Sequence, residues 1–345
     1  MQKAGNSYTY VKTQAISAVA GIVLMLFFSK IDFNIYGKFY KIIYFAGLIL
    51  LIAVKIPGLG YSANGATRWL NLGFTTIQPS ELVKVGLIIF YATYLSKHKD
   101  ELKDIKNGFI KPLLYLLPVI AILFFVQNHL SASIVIIAIT AIMMLMAGTK
   151  LRYFITSGVL GIGALGSAFF IMAQKATAAS EASGGFRLAR ITSFLDPWQD
   201  AQGAGWQIIQ SLYAIGSGGL FGTGLGNSTQ KYLYIPEPHN DFIFSILAEE
   251  LGFVGCVFVI LLFIVFIWRG IVIAMKAPNL SGSLIAVGIT AQVGIQAIIN
   301  IAVVTSSIPN TGMPLPFFSY GGTALLILLC SVGVLLNISR QGNKV

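Results

Sequence analysis

Residues 251–268, LGFVGCVFVILLFIVFIW, contain no charged side chain and are almost continuously apolar. A helix of this length rises about 27 Å at 1.5 Å per residue, close to the ~30 Å thickness of a bilayer's hydrocarbon core. Because lipid offers the backbone no hydrogen-bond partners, an apolar run that spans a membrane is expected to be helical. The stretch therefore predicts a transmembrane helix.

The composition extends this prediction to the whole chain. Hydrophobic residues make up 56% of the 345 residues and charged residues 10%, whereas soluble domains carry about a quarter charged residues. The net charge of +11 lies in short stretches between apolar segments, which is typical of a membrane protein and argues against nucleic acid as a partner. Both cysteines, Cys256 and Cys330, lie in apolar runs and indicate no disulfide framework.

Apolar runs recur along the chain and predict an all-α fold, a polytopic bundle of about nine transmembrane helices that forms a single domain over residues 1–345. The predicted spans are approximately 13–29, 42–54, 79–95, 113–127, 130–148, 152–173, 241–268, 282–304 and 319–338.

The placement of basic residues predicts the orientation of the bundle. With the N-terminus outside, most of the 23 Lys and Arg residues fall on the cytoplasmic side, including those of KHKDELKDIKNGFIK (97–111). Three outer segments, 55–78, 174–240 and 305–318, are longer than helix connections require. Two of them are rich in aromatic residues and glycine, and we expect these two to form a packed cap over the outer face. Residues 174–240 are expected to form a large extracytoplasmic loop.

Three carboxylates, Asp241, Glu249 and Glu250, follow YIPEPHN (234–240) at the start of a predicted helix or within it. Asn240 or Asp241 can act as its N-cap, which places Asp241 at the outer mouth of a span. Glu249 lies about 12 Å deeper. Carboxylates in a span are costly and need a partner or a function. A plain N-cap competes with a functional role for Asp241, and for Glu249 and Glu250 the alternative is a buried pair with Arg or Lys, which we favour for Glu250.

A second cluster lies in GYSANGATRWLNLGFTTIQPSELVKVG (60–86). Arg68 and Trp69 suit an outer loop, where an interfacial aromatic belt with a snorkelling arginine would account for both. Glu81 and Lys84 are three residues apart and are expected to pair on one helical face. The aromatic belt does not explain this charged pair inside an otherwise apolar span.

Two further segments suit the outer face. The large loop holds RLARITSFLDPW (187–198) and an amphipathic pattern near 206–216 that predicts a helix along the membrane surface. The glycine run 216–226 lacks the context of a nucleotide-binding loop, so tight backbone packing is its better explanation, although backbone amides could also bind a diphosphate. Three prolines in IPNTGMPLPFFSYGG (308–322) exclude a continuous helix and predict a re-entrant loop lining an outer cavity.

These segments resemble the SEDS family of shape, elongation, division and sporulation proteins, which includes FtsW, RodA and SpoVE. The similar strings are NGATRWLNLG, QPSELVKVG, RITSFLDPW, GWQIIQSLYAIGSGGLFGTGLGNSTQK, PEPHNDFIFSILAEELG and MPLPFFSYGG, in the family's order along nearly the whole chain.

The resemblance implies a peptidoglycan glycosyltransferase of the bacterial plasma membrane. It implies lipid II, a disaccharide-pentapeptide on undecaprenyl diphosphate, as substrate and a class B penicillin-binding protein as partner. The family's essential aspartate corresponds to Asp241, which is expected to act as a general base. The expected substrate-binding residues are Arg68, Lys84, Arg190, Lys231, Glu81, Glu237 and Ser319. No metal site is predicted, although a divalent cation could share the neutralisation of the diphosphate.

The chain departs from the family pattern at two places. Family members usually have ten spans, and this chain begins in what resembles the loop after the first, so we expect one more apolar span to be encoded upstream. QNHLSAS (127–133) replaces an acidic segment of many members and places the chain nearer to FtsW or SpoVE than to RodA.

Two other functions suit a membrane protein with outer charges. A lipid II flippase would use the same cationic residues, but it needs a polar path across the membrane, and the inner halves of the predicted spans are almost wholly apolar. A scaffold that only recruits a transpeptidase would not explain the clustered outer charges.

Overall fold

The computed structural model describes residues 7–63, 66–73, 75–158, 194, 196–203, 205–230 and 239–342. Its α-helices are α1 (Ser7–Phe28), α2 (Asn34–Lys38), α3 (Tyr40–Ala53), α4 (Pro79–Lys97), α5 (Lys111–Ala121), α6 (Leu130–Ala147), α7 (Trp206–Ser217), α8 (Ile243–Met275), α9 (Leu280–Val304) and α10 (Gly322–Gly342). π-helical turns at Lys106–Ile110 and Ile122–Val126 extend α5, and short 3-10 helices lie at Lys99–Glu101 and Pro197–Asp200.

The described helices form the predicted bundle. Six of those in the described ranges are long and apolar enough to cross a membrane, α3 is apolar but shorter, and α4 interrupts its apolar sequence with Glu81 and Lys84. The predicted span 152–173 is described only through residue 158, where the chain is helical from 151. Each other predicted span overlaps a described helix.

Helix α9 is central, since it packs against α4, α6 and α8. Gly288 allows this close packing, because a Cβ there would lie 2.6 Å from a methyl of Ile88 on α4 and 2.9 Å from the Met143 sulfur on α6. The apolar core between these helices is fully buried. Helix α9 is therefore packed in the middle of the bundle.

The outer segment 55–78 is not entirely irregular, which the prediction of an all-α fold did not anticipate. It contains a small antiparallel sheet of β1 (Gly60–Ala63), β2 (Ala66–Asn71) and β3 (Thr76–Ile77). Ala63 pairs with Ala66, and the intervening Asn-Gly is the dipeptide that most favours a two-residue hairpin. The sheet ends two residues before Pro79, the first residue of α4.

Helix α8 is kinked at Gly252, whose φ of 67° and ψ of −167° lie outside the helical region. The glycine run beside it fills the break: Phe253 N donates to Gly219 O at 2.9 Å and Gly224 N donates to Glu250 O at 3.0 Å. Gly222 leaves no room for a side chain, because its Cβ would lie 2.2 Å from Glu250 O. Tight backbone packing is thus the role of these glycines in the structure.

The opposite end of the bundle is held together by Asn337 of α10. Its amide donates to Ser29 O at 2.9 Å and accepts from Phe33 N at 3.1 Å. A further bond joins Asn279 to Asn34 at 3.1 Å. The loops after α1 and α8 therefore meet the end of α10 at one end, and the sheet and the segment 308–321 lie at the other.

We expect the end with the sheet to face outward. Single cysteines at the exposed positions Glu101 and Gln199, in a variant lacking Cys256 and Cys330, should differ in labelling by a membrane-impermeant thiol reagent in intact cells. Position 199 should be labelled and position 101 should be labelled only after permeabilisation, because basic loops remain inside. The reverse pattern would invert the predicted orientation.

Candidate functional site

A cavity of about 1590 Å³ opens at the end of the bundle that carries the sheet. Its walls come from segments that are far apart in sequence: the sheet and the start of α4, the turn before α6, residues 239–241, α9 and the segment 308–325. Of the predicted site residues in the described ranges, Asp241, Arg68, Glu81 and Ser319 line it, whereas Lys84 does not. The fold thus brings most of the sequence clusters to one place.

Asp241 lies just before α8 but does not cap it. The helix begins at Ile243 with Phe242 as its N-cap residue, so the prediction of Asn240 or Asp241 as N-cap was wrong: the turn 239–242 intervenes. Asp241 is instead held through its backbone, because Asn300 Nδ2 donates to Asp241 O and to Met313 O, both at 2.7 Å.

The segment 308–321 is non-helical and lines the cavity, as its prolines predict. Gly312 has a φ of 66°, and a Cβ there would lie 3.2 Å from Asp241 Oδ2, so glycine leaves room for the carboxylate. Ser319 Oγ donates to Asn240 O at 2.6 Å and accepts from Leu315 N at 2.7 Å. Its hydroxyl proton is therefore used to fix the chain beside Asp241.

Arg68 extends from β2 to the turn between α5 and α6. Its Nε donates to Gln127 O at 3.3 Å and its Nη2 to Asn128 O at 2.6 Å. Asn128 has a φ of 50°, a left-handed conformation that asparagine tolerates better than most residues. Because its guanidinium is anchored on the turn, Arg68 is presented to the cavity at a defined position.

Glu81 and Lys84 form the predicted pair on α4, with Lys84 Nζ 2.8 Å from Glu81 Oε1. The contact is an ion pair rather than a well-aligned hydrogen bond. The Lys84 side chain is fully buried, whereas Glu81 is slightly exposed and lines the cavity. The structure thus places Lys84 behind Glu81, away from direct contact with a ligand in the cavity, and its charge acts through Glu81.

Glu249 is buried, but its partners are not the basic residues that we considered. Its carboxylate accepts from Ser228 Oγ at 2.6 Å, Thr229 N at 2.9 Å and Thr229 Oγ1 at 2.8 Å. Glu250 accepts from Ser228 N at 3.3 Å. Both carboxylates therefore hold the loop after the glycine run. The pairing of Glu250 with a basic residue stays a prediction.

Several predicted site residues lie outside the described residues: Arg187, Arg190, Lys231 and Glu237. Within the described ranges, no group of three His, Cys, Asp or Glu side chains is arranged to hold a metal ion.

Three amide side chains on α9 were missed at the sequence level. Gln292, Gln296 and Asn300 are spaced four residues apart and therefore share one face of the helix. The two glutamines line the cavity and all three are buried. The signal was present, since repeated polar residues on one face of a membrane span indicate an interior or functional surface.

Comparison with known proteins identifies the family to which this chain belongs. A family model described as cell cycle protein, covering FtsW, RodA and SpoVE, matches residues 1–344. The chain belongs to the FtsW/RodA/SpoVE family. It is 42% identical over 338 residues to stage V sporulation protein E of Bacillus subtilis (strain 168), covering 98% of this chain and 89% of that protein. It is 40% identical over 340 residues to a probable peptidoglycan glycosyltransferase FtsW of Geobacter sp. (strain M18), covering 99% and 89%.

Solved structures have the same fold. One of them superposes with a TM-score of 0.79 at 27% identity, covering 98% of this chain and 92% of that chain. Its description is "Structural coordination of polymerization and crosslinking by a peptidoglycan synthase complex". The crystal structure of the rod shape determining protein RodA of Thermus thermophilus superposes with a TM-score of 0.69 at 26% identity, covering 98% and 89%. The SEDS resemblance is confirmed, and this FtsW/RodA/SpoVE protein is a multi-pass bacterial membrane protein.

The buried ion pair generates a stability prediction. Lys84→Met should lower the unfolding free energy by about 3–5 kcal/mol, because it leaves the Glu81 carboxylate without its cation in a buried site. Adding Glu81→Gln should recover a large part of the loss. Thermal unfolding of both purified variants in detergent measures this difference, and a double variant less stable than Lys84→Met would contradict it.

A pH dependence follows from His129, in the turn before α6. Burial, and then the positive charges of Arg68 and Lys84, lower the pKa of His129 from 6.5 to about 3. Between these values the unfolded chain binds a proton that the folded protein does not, so stability falls as pH falls through this window, by about 1.4 kcal/mol per pH unit.

His129→Gln removes this contribution. The drop in melting temperature from pH 7.0 to pH 5.0, measured in one detergent, should therefore be smaller in His129→Gln than in the unmodified protein. An equal drop in both would mean that His129 titrates normally.

Proposed function

We propose that this protein is a peptidoglycan glycosyltransferase that polymerises lipid II at the outer face of the cytoplasmic membrane, in cell division or sporulation. The proposal is supported by the names of its relatives, a probable peptidoglycan glycosyltransferase FtsW and a stage V sporulation protein E. The observation that carries it is the cavity, in which a carboxylate, Asp241, and a cation, Arg68, share the outer end of a membrane bundle.

Asp241 is the general base of the proposed reaction. It accepts the proton of the acceptor sugar's 4-hydroxyl as that oxygen forms a bond to the anomeric carbon of the donor. The bond between the anomeric carbon and the diphosphate oxygen breaks, and undecaprenyl diphosphate leaves with inversion at the carbon. A base so positioned accelerates a reaction by about 10²–10⁴-fold.

The leaving diphosphate requires positive charge. Arg68 is the candidate that the described structure places on the cavity wall, and Lys84 supports the site indirectly by holding Glu81. Arg190, Lys231 and Glu237, which lie outside the described residues, remain candidate substrate-binding residues from the sequence resemblance. Ser319 contributes by holding the segment that carries Asp241.

The depth of the cavity favours polymerisation over transport across the membrane. On α9 its deepest lining residue is Gln292, which is twelve residues, or about 18 Å, from the outer end of the helix at Val304. On α10 its lining ends at Leu328, about 9 Å from the helix start. A flippase needs a polar path through both leaflets, and this polar lining belongs to the outer part of the bundle.

A transpeptidase is the proposed partner. The structural relative with the higher TM-score is described as a peptidoglycan synthase complex that coordinates polymerization and crosslinking. A class B penicillin-binding protein that crosslinks the new strands as they leave the membrane fits this description. A scaffold without catalytic activity is disfavoured because it would not need a carboxylate and a cation in one cavity.

Asp241→Asn tests the catalytic assignment. The variant keeps the size of the side chain and the backbone carbonyl that Asn300 binds, so it should fold and bind its transpeptidase. It cannot accept the proton, and polymer formed from lipid II per mole of purified complex should fall by at least about 10²-fold.

Asp104→Asn is the matched control, since Asp104 is exposed at the opposite end of the bundle and its loss should leave polymerisation unchanged. A near-normal rate for Asp241→Asn, at equal expression and equal partner binding, would remove the catalytic role of Asp241.

A further inference from the structure

Three residues on the cavity wall share one property. His129, Gln292 and Thr311 line the cavity, and His129 Nδ1, Gln292 Oε1 and Thr311 Oγ1 are buried with no hydrogen-bond partner in the described part of the protein. They come from three elements, the turn before α6, helix α9 and the segment 308–321. An unsatisfied buried polar atom costs about 1–3 kcal/mol, so a cluster of them on one cavity requires an explanation.

The side chains of His129, Gln292 and Thr311 are all uncharged. A glutamine and a threonine carry no charge, and His129 is neutral because burial and the nearby Arg68 and Lys84 lower its pKa to about 3. The exposed fractions of His129 and Gln292 are 6% and 1%. The terminal side-chain torsions of His and Gln are broad. Rotation about one side-chain bond can therefore turn the polar atoms of His129 or Gln292 toward a ligand in the cavity.

The chemistry of these groups selects a neutral ligand. An imidazole, an amide and a hydroxyl each offer both hydrogen-bond donors and acceptors, which matches the hydroxyl and acetamido groups of a sugar. A diphosphate would instead be drawn to Arg68, whose guanidinium lies over the neighbouring turn at 127–128.

We propose that His129, Gln292 and Thr311 form a neutral subsite that binds the saccharide of a lipid-linked substrate and not its diphosphate. The proposal rests on the function proposed above, and it assigns saccharide recognition to residues other than Asp241 and Arg68. Gln292 extends this surface about 12 Å deeper along α9 than Asn300, which holds Asp241. The sugar is thereby anchored on residues that do no chemistry.

Competition binding separates the two parts of the ligand. The purified complex is titrated with lipid II and with undecaprenyl diphosphate, which lacks the sugars. Gln292→Leu and Thr311→Val each remove hydrogen-bonding groups while keeping a similar size. Each should weaken lipid II binding about three- to ten-fold, the value of one neutral hydrogen bond, and leave undecaprenyl diphosphate binding unchanged.

Thr290→Val is the matched control. Thr290 is also buried on α9 with an unpartnered hydroxyl among the described residues, but it does not line the cavity and faces Gly270 of α8. It should change neither affinity. The subsite would be overturned if the Gln292 and Thr311 variants lost affinity equally for both ligands, or if they lost no affinity for lipid II.

The same titration distinguishes this proposal from the proposed function. If the unmodified complex makes no polymer but binds lipid II more tightly than undecaprenyl diphosphate in a Gln292-dependent manner, the subsite stands and the polymerase assignment falls. If it polymerises lipid II and the variants keep the normal ratio of the two affinities, the polymerase assignment stands and the subsite falls.

Discussion

A polar side chain inside a membrane protein must find its partners within the protein, because lipid provides none. This constraint organises the whole structure. Lys84 pairs with Glu81, Glu249 accepts from three donors of the loop 228–229, and Asn337 joins two backbone groups at the end of the bundle opposite the cavity. Each of these polar contacts ties a helix to a loop or lies within one helix.

The constraint also explains how far the sequence could predict the fold. Long apolar runs have few alternatives to a membrane helix, so the spans were recognisable from hydropathy alone. The sheet at 60–77 was not, although its Asn-Gly dipeptide between aromatic and β-branched residues is a hairpin signal. Short strands in an outer loop bury little surface, and the charged and aromatic residues there drew the interpretation toward an interfacial loop.

The sequence predicted which types of residue line the candidate site. It predicted less well how each of them is held there. Asp241, Arg68 and Glu81 line one cavity, as the clustering of their segments suggested. The start of α8 could be located from sequence only to within one or two residues, so the N-cap was misassigned. The partners of Glu249 were also beyond local reasoning, because Ser228 and Thr229 reach it only through the packing of the glycine run on the kink at Gly252.

The way in which Asp241 is held bears on its chemistry. Because Asp241 does not cap α8, replacing its carboxylate is not expected to disturb the end of the helix. In this structure Phe242 is the N-cap residue, and the position of residue 241 is fixed by Asn300 through a backbone carbonyl. Gly312 leaves space beside the carboxylate oxygen. The backbone carbonyl of Asp241 and the glycine beside its carboxylate thus determine where this side chain meets the cavity.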